Sequence, residues 1–340
     1  VMETDDVRLK MLLSSHLALY YTWWTGDQAQ AELLINALRS SLHDLRVDPL
    51  SVIVWRSIEA AYSWMRGENK ACIEAVERGL DVANQNGIHL WDFMLLAQAS
   101  FGAMTAGDIG TASGYLRRME FIFKTNRFLD LSHYHYHLAW EALCLRDVSR
   151  AQAHIQTSVS LAEKSGDPFI LAFVVMGFAE VLMVQGKHSE AGKHLERARA
   201  IGISMRSNTI EYQYQWLQAV RCLNRGDEQG ALKPLRRHLA ISRECGILNH
   251  AFWRSSVMMP LYAKALEHGI EEQFVRDLIR KRGLVPDAPP VHLENWPWRY
   301  RVYTLSRFLI VMDGKTLRFA GRVRQKPLDM LKALIALGGS

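Results

Sequence analysis

A polar turn recurs along this chain every 39 to 41 residues, at Gly26-Asp27, Gly67-Glu68, Gly107-Asp108, Arg146-Asp147, Gly186-Lys187 and Gly226-Asp227. Self-similarity at a fixed period of this length marks a stacked array of supersecondary units, which constrains the chain to an elongated repeat. Small residues keep step with the turns. Ala31, Ala112, Ala151, Ala191 and Ala231 stand five residues after the mark, with the second repeat one residue short at Ala71, and Ala60, Ser100, Ala139, Ala179 and Ala219 stand seven residues before it. Small side chains on both sides of a polar turn let two helix backbones approach closely, so each unit reads as a helical hairpin. A third column, Gly87, Asn126, Gly166, Arg206 and Gly246, closes the second helix, because Gly and Asn accept the left-handed conformation that ends one. Arg206 departs from that column, and Gly202 is expected to serve in its place.

The 340 residues are 49% hydrophobic, enough for a large core that a solenoid spreads along its axis. No apolar run approaches the roughly 18 to 20 residues that span a bilayer. Residues 1–6 lack the basic and apolar regions of a signal peptide. The expectation is a cytoplasmic protein with no membrane partner. Cys72, Cys144, Cys222 and Cys245 show neither CxxC nor finger-like spacing, which points to small buried side chains in a reducing compartment. The net charge of +6 is unevenly placed: Arg299 to Ser340 carry nine Lys or Arg and two Asp, leaving 32 basic and 33 acidic residues elsewhere. A neutral module joined to a basic one raises the prior for a polyanionic partner.

Residues 1–284 read as about seven helical hairpins, the last a degenerate cap with a helix from Leu261 to Glu267, a turn at His268-Gly269 and a helix from Glu271 to Arg282. Residues 285–298 form a linker, where Pro286, Pro289 and Pro290 exclude helix. In 299–340 the period falls to two: Tyr300, Val302 and Thr304, then Phe308, Ile310 and Met312, alternate with partners. Asp313-Gly314 signals a hairpin turn, and Lys315 to Phe319 supply the returning strand. Pro327 opens a final helix carrying Leu328, Leu331, Leu334 and Ile335. So small a sheet and helix cannot complete a stable domain, and the chain is expected to be a piece cut within this module. The expected fold class is all-α, a helical-hairpin solenoid with a small incomplete α+β start at its C-terminus.

The hairpin columns resemble tetratricopeptide repeats in their long form, as in the sensor region of the bacterial signal-transducing ATPase regulators that include the maltose-regulon activator and LuxR-type activators. The tail, Arg301 to Phe308 with Asp313-Gly314 and Lys326 to Gly339, resembles the start of an OmpR-type winged helix of the Streptomyces antibiotic regulatory protein kind. The resemblance implies a DNA-binding parent with an ATPase module before residue 1 and a recognition helix after residue 340. DNA binding by this piece is then weak or absent. Arg322, Arg324 and Lys326, ahead of a helix start in the basic tail, are the residues assigned to DNA phosphate contact.

The tetratricopeptide register places residues 13, 10 and 6 positions before each turn on the concave face. These are His133, Tyr136 and Trp140 in the fourth repeat, Phe173, Met176 and Glu180 in the fifth, and Gln213 and Trp216 in the sixth, where the third position is Val220. Aromatic walls with a few polar groups suit a small effector or a peptide. Gly186-Lys187-His188-Ser189-Glu190-Ala191-Gly192-Lys193-His194 has five residues between its glycines where a phosphate loop has four, and it reads as a repeat turn. His133 and His137 share a helix face, but no third ligand is fixed by spacing, so no metal is assigned. No catalytic residue and no cofactor is called for. The expected function is that of a sensor or protein-interaction domain of a bacterial transcriptional regulator. It would bind an effector or regulatory protein in the groove and relay it through curvature or self-association. The alternative is a peptide- or protein-binding scaffold with no small inducer.

Overall fold

The computed structural model describes residues 6–41, 47–122, 127–285, 290, 292–304, 308–312, 314–317 and 325–338. Its helices pair in chain order. The first hairpin joins α1 (Val7–Leu19), which runs on as a π-helical turn (Tyr20–Thr25), to α2 (Gln28–Ser41). Then come α3 (Pro49–Met65) with α4 (Asn69–Asn86), and α5 (Asp92–Ala106) with α6 (Ile109–Glu120). The next are α7 (Phe128–Cys144) with α8 (Val148–Ser165), and α9 (Pro168–Val184) with α10 (His188–Met205). Last are α11 (Asn208–Asn224) with α12 (Glu228–Cys245), and α13 (Ser255–Glu267) with α14 (Glu272–Lys281). The fold is an all-α, tetratricopeptide-like superhelix. No described helix is long and apolar enough to cross a membrane.

The recurring Gly-Asp dipeptide ends one helix and starts the next. Gly107 adopts φ 81°, which lets the Asp108 N–H return to the Ala103 carbonyl at 2.9 Å. The Asp108 carboxylate then accepts the Thr111 N–H at 3.0 Å and caps α6. Asp147 does the same for Arg150 at 2.9 Å, and Asp227 for Gly230 at 2.8 Å. Where another residue replaces aspartate, at Glu68 and Lys187, the following helix has no side-chain cap. Between the helices the small columns are fully buried: Ala60, Ser100, Ala139, Ala179 and Ala219 on one side, Ala31, Ala112, Ala151, Ala191 and Ala231 on the other.

Two details of the columns differ from expectation. The second repeat does not slip to Ala71, which is half-buried. Cys72 stands five residues after Gly67 and is fully buried, so a thiol fills the alanine slot in register. Nor does Gly202 replace Arg206. Arg206 itself ends α10 in the left-handed conformation at φ 51°, while Gly202 lies within that helix, where an added Cβ would come 2.5 Å from Ile210 Cγ2. That glycine permits the approach of α11.

The superhelix closes on itself. A Cβ at Gly26, in the first turn, would lie 2.8 Å from both Ile247 Cδ1 and Thr209 Oγ1, so repeat one abuts repeat six. The connection between α12 and α13 seals the ring. The Leu248 N–H donates to the Met65 carbonyl at 2.7 Å, and Asn249 Nδ2 donates to Asn69 Oδ1 at 2.8 Å. From α14, Lys281 Nζ reaches the Arg66 carbonyl at 3.0 Å. Residues 249 to 253 run through the concave interior, all of them buried. Phe252 inserts between Tyr136 (ring centroids 5.1 Å apart) and Trp140 (5.8 Å, stacked), and Gly177 makes room, since a Cβ there would meet Phe252 at 2.8 Å. Phe252 holds φ 61°, a strained value for an aromatic residue that its surroundings must enforce.

Beyond α14, Leu293 and Trp296 are buried in the solenoid core, and Asn295 Nδ2 donates to the Leu266 carbonyl at 3.0 Å. Three antiparallel strands follow in the order β1 (Tyr300–Tyr303), β2 (Leu309–Met312) and β3 (Lys315–Thr316), then α15 (Gln325–Ala336). Met312 pairs with Lys315, the register of a two-residue turn. Asn126, residues 286–289, Asp313, residues 318–320, and Arg322 and Arg324 lie outside the described residues. Lys326 is described and exposed on α15.

Phe252→Ala should destabilise the protein by about 3–5 kcal/mol, as for other fully buried aromatics. A urea-unfolding loss below about 1 kcal/mol would show that the ring does not depend on this insertion. Arg206→Gly should stabilise by about 0.5–1 kcal/mol through relief of the left-handed conformation, and a loss of stability in the same measurement would refute it.

Candidate functional site

Closure leaves a small chamber at the ring's centre. Its walls come from four repeats: Leu19, Trp23 and Trp24 from the end of α1 and its π-helical turn, Met94, Gln98 and Phe101 from α5, His133 and Tyr136 from α7, and Phe169, Ile170, Phe173 and Val174 from α9. The cavity measures about 90 Å³, which at roughly 30 Å³ per water is the space of about three waters. Aromatic contacts across the axis hold it. Trp24 stacks on Phe169 at 4.7 Å, Trp23 meets Phe173 edge-on at 5.6 Å, and Trp23 stacks on Trp64 at 5.5 Å. The π-helical turn places Trp23 and Trp24 together at this wall, and such turns often occur at functional positions.

Two of the wall's polar groups carry unpartnered buried atoms, Gln98 Oε1 and Tyr136 Oη. Burial pushes the Tyr136 phenol well above its usual range, with the nearby Gln213 amide opposing the shift. It lowers the His133 imidazole to about 4. Behind the wall, His137 accepts or donates at Nδ1 with Ser100 Oγ, 2.6 Å away, and burial with His133 alongside holds it well below the ordinary histidine range. His238 falls to about 4, and His250 lies lower still, both through burial. The interior therefore holds these four imidazoles neutral.

The eight residues assigned to the groove do not all share one surface. His133, Tyr136 and Phe173 line the chamber. Trp140 and Trp216 are fully buried, the first against Phe252 and the second against His250 at 3.7 Å. Met176 and Gln213 are buried too. Glu180 faces elsewhere, paired with Arg254. Met94 and Phe101 stand 13 and 6 residues before their own turn mark, so extending the register to the third repeat would have found them. Trp23 and Trp24 follow a π-helical geometry that no periodicity announces. The inserted segment had one signal. Nine residues separate α12 from α13, against five between α4 and α5 and two each between α8 and α9 and between α10 and α11, the other connections between hairpins whose residues are all described.

Among the described residues no group of three or more His, Cys, Asp or Glu is placed to hold a metal. Comparison with solved structures finds a Rap protein complexed with Competence and Sporulation Factor, with a TM-score of 0.63 at 11% identity over 83% of this chain and 78% of that one. It also finds aspartyl phosphate phosphatase F from Bacillus subtilis, with a TM-score of 0.46 at 12% identity over 83% of this chain and 91% of that one. At such identity the likeness to the Rap protein is one of fold. No protein-family model and no curated protein sequence matches the chain.

The neutral histidines set a pH dependence. Their folded pKa values lie below the unfolded value, so the unfolded state binds more protons as pH falls, and stability present above about 6.5 is lost towards 4. Each such histidine should cost about 1.4 kcal/mol per pH unit below 6.5. The urea midpoint is expected to fall steeply between pH 7 and pH 5, and a flat profile would mean that these imidazoles are already protonated or solvated.

Proposed function

We propose that this chain is the cytoplasmic sensor module of a bacterial transcriptional regulator, and that its effector is a small, largely apolar molecule held in the central chamber. The observation that carries the reading is the chamber itself: twelve residues from four repeats converge on one apolar space. A ligand there touches repeats one, three, four and five at once, so its binding energy can bias the curvature of the ring. The interior that an extended peptide would need is occupied by residues 249 to 253, which favours a small effector over the peptide-scaffold reading. The role is recognition and relay.

The link to transcription rests on the C-terminal elements. A three-stranded meander followed by α15, in the basic stretch, has the element order expected of a winged-helix start. Lys326 sits at the beginning of α15, where a basic side chain and the helix N-terminus both favour a phosphate.

Xenon, an apolar atom that a dry space of this size can admit, is a suitable probe. It should shift the tryptophan emission of the protein through Trp23 and Trp24 and raise the melting midpoint. Ile170→Trp, which projects a large ring into the chamber from a half-buried position, should abolish both effects. A response that survives in this variant would place the probe elsewhere and remove the chamber from the proposal.

A further inference from the structure

His135 on α7 and His154 on α8 face each other across the hairpin of repeat four. Their Nδ1 atoms are 3.0 Å apart, and the contact is only partly buried. One proton satisfies it, donated by one ring and accepted by the other. Neither imidazole has a hydrogen bond to a carboxylate, amide or backbone group among the described residues, and neither Nε2 is a buried unpartnered atom, so both reach water. Neither residue lines the central chamber.

The separation has a chemical meaning. An imidazole nitrogen binds a first-row divalent ion at about 2.0–2.1 Å. Two such bonds of about 2.05 Å to donors 3.0 Å apart enclose an angle of about 94° at the ion. Tetrahedral zinc would need donors about 3.3 Å apart, whereas a square or tetragonal ion takes a right angle. Both rings are held in the neutral form that a metal requires: burial lowers each imidazole, and the neighbouring His154 adds to the effect at His135. Arg150 lowers His154 further and Glu141 opposes it, and these two are paired with each other at 2.6 Å, so their charges balance. The scaffold is rigid. Asp147 caps α8 at the turn, and the fully buried Ala139 and Ala151 pack the two helices closely, so the donors are fixed before an ion arrives.

From this geometry we infer that His135 and His154 form a bidentate site for a divalent transition-metal ion of tetragonal preference, copper(II) above nickel(II), with water in the remaining positions. On binding, the ring that carries its proton at Nδ1 moves it to Nε2, so both Nδ1 lone pairs face the ion as neutral donors and no proton is released. Each Nε2–H then donates to water, a usual outer partner of a ligating histidine. The site goes beyond the effector chamber and does not depend on it.

Copper(II) carried by iminodiacetate is the probe, because the chelator outcompetes isolated histidines and leaves adjacent positions open. The unaltered protein should bind one equivalent, and pulsed electron paramagnetic resonance, which counts imidazoles by their remote nitrogens, should report two. At about ten times the dissociation constant the melting midpoint should rise by about 2 °C. His135→Gln and His154→Gln each leave a single donor and should weaken binding at least tenfold, since the second donor acts at high effective concentration. His268→Gln, at an exposed turn, should bind like the unaltered protein. Both ligand positions are half-buried, so the variants should keep the circular dichroism of the fold. Should either fail to fold, the imidazole count of the unaltered protein still decides. Fewer than two imidazoles on the copper, or a folded His135→Gln or His154→Gln protein that binds as tightly as the unaltered one, overturns the inference.

Discussion

The architecture depends on the strand of chain that leaves α12 and passes through the ring's interior. Its backbone hydrogen bond from Leu248 to Met65 and the insertion of Phe252 between Tyr136 and Trp140 tie repeat six to repeats two and four. In an open solenoid each unit touches only its neighbours. Here residues far apart in sequence become adjacent, and the aromatic side chains that would line an open groove become a core. The strained backbone of Phe252 is tolerated because burial of its ring outweighs it.

Electrostatics follow the same division between interior and rim. The core accepts His137, His238 and His250 only as neutral rings, since desolvation penalises their charged form. Charged glutamates enter it only with an arginine beside them, as at Glu59, Glu141 and Glu180. Glu180 differs because Arg254 belongs to the incoming segment, so the pair forms across the seam between that segment and α9. A seam leaves space that packing within a hairpin does not.

Much of this fold is legible in the residues. The Gly-Asp marks state where each hairpin turns, because glycine ends one helix and aspartate caps the next, and the alanine columns state which faces meet. Cys72 and Arg206 break the pattern by type alone, since a thiol is small enough for the alanine slot and an arginine can be held at positive φ. The segment from Ile247 to Trp253 is different in kind. It has no helical period, and its role depends on superhelical curvature, which sums small rotations from every repeat. The site inherits that limit: His133, Tyr136 and Phe173 follow from the register, whereas the positions of Trp23, Trp24 and Arg254 follow from closure.

Contact between Gly26 and Thr209 locks the number of repeats. A chain that grows by duplicating units can lengthen freely while its ends are apart, but here the first turn seats against the start of α11 with almost no clearance. Adding or deleting one hairpin would carry repeat six past its partner and strand the inserted segment without a floor. The molecule is thus periodic in sequence but finite in size, and it should melt as one cooperative body instead of fraying from its ends.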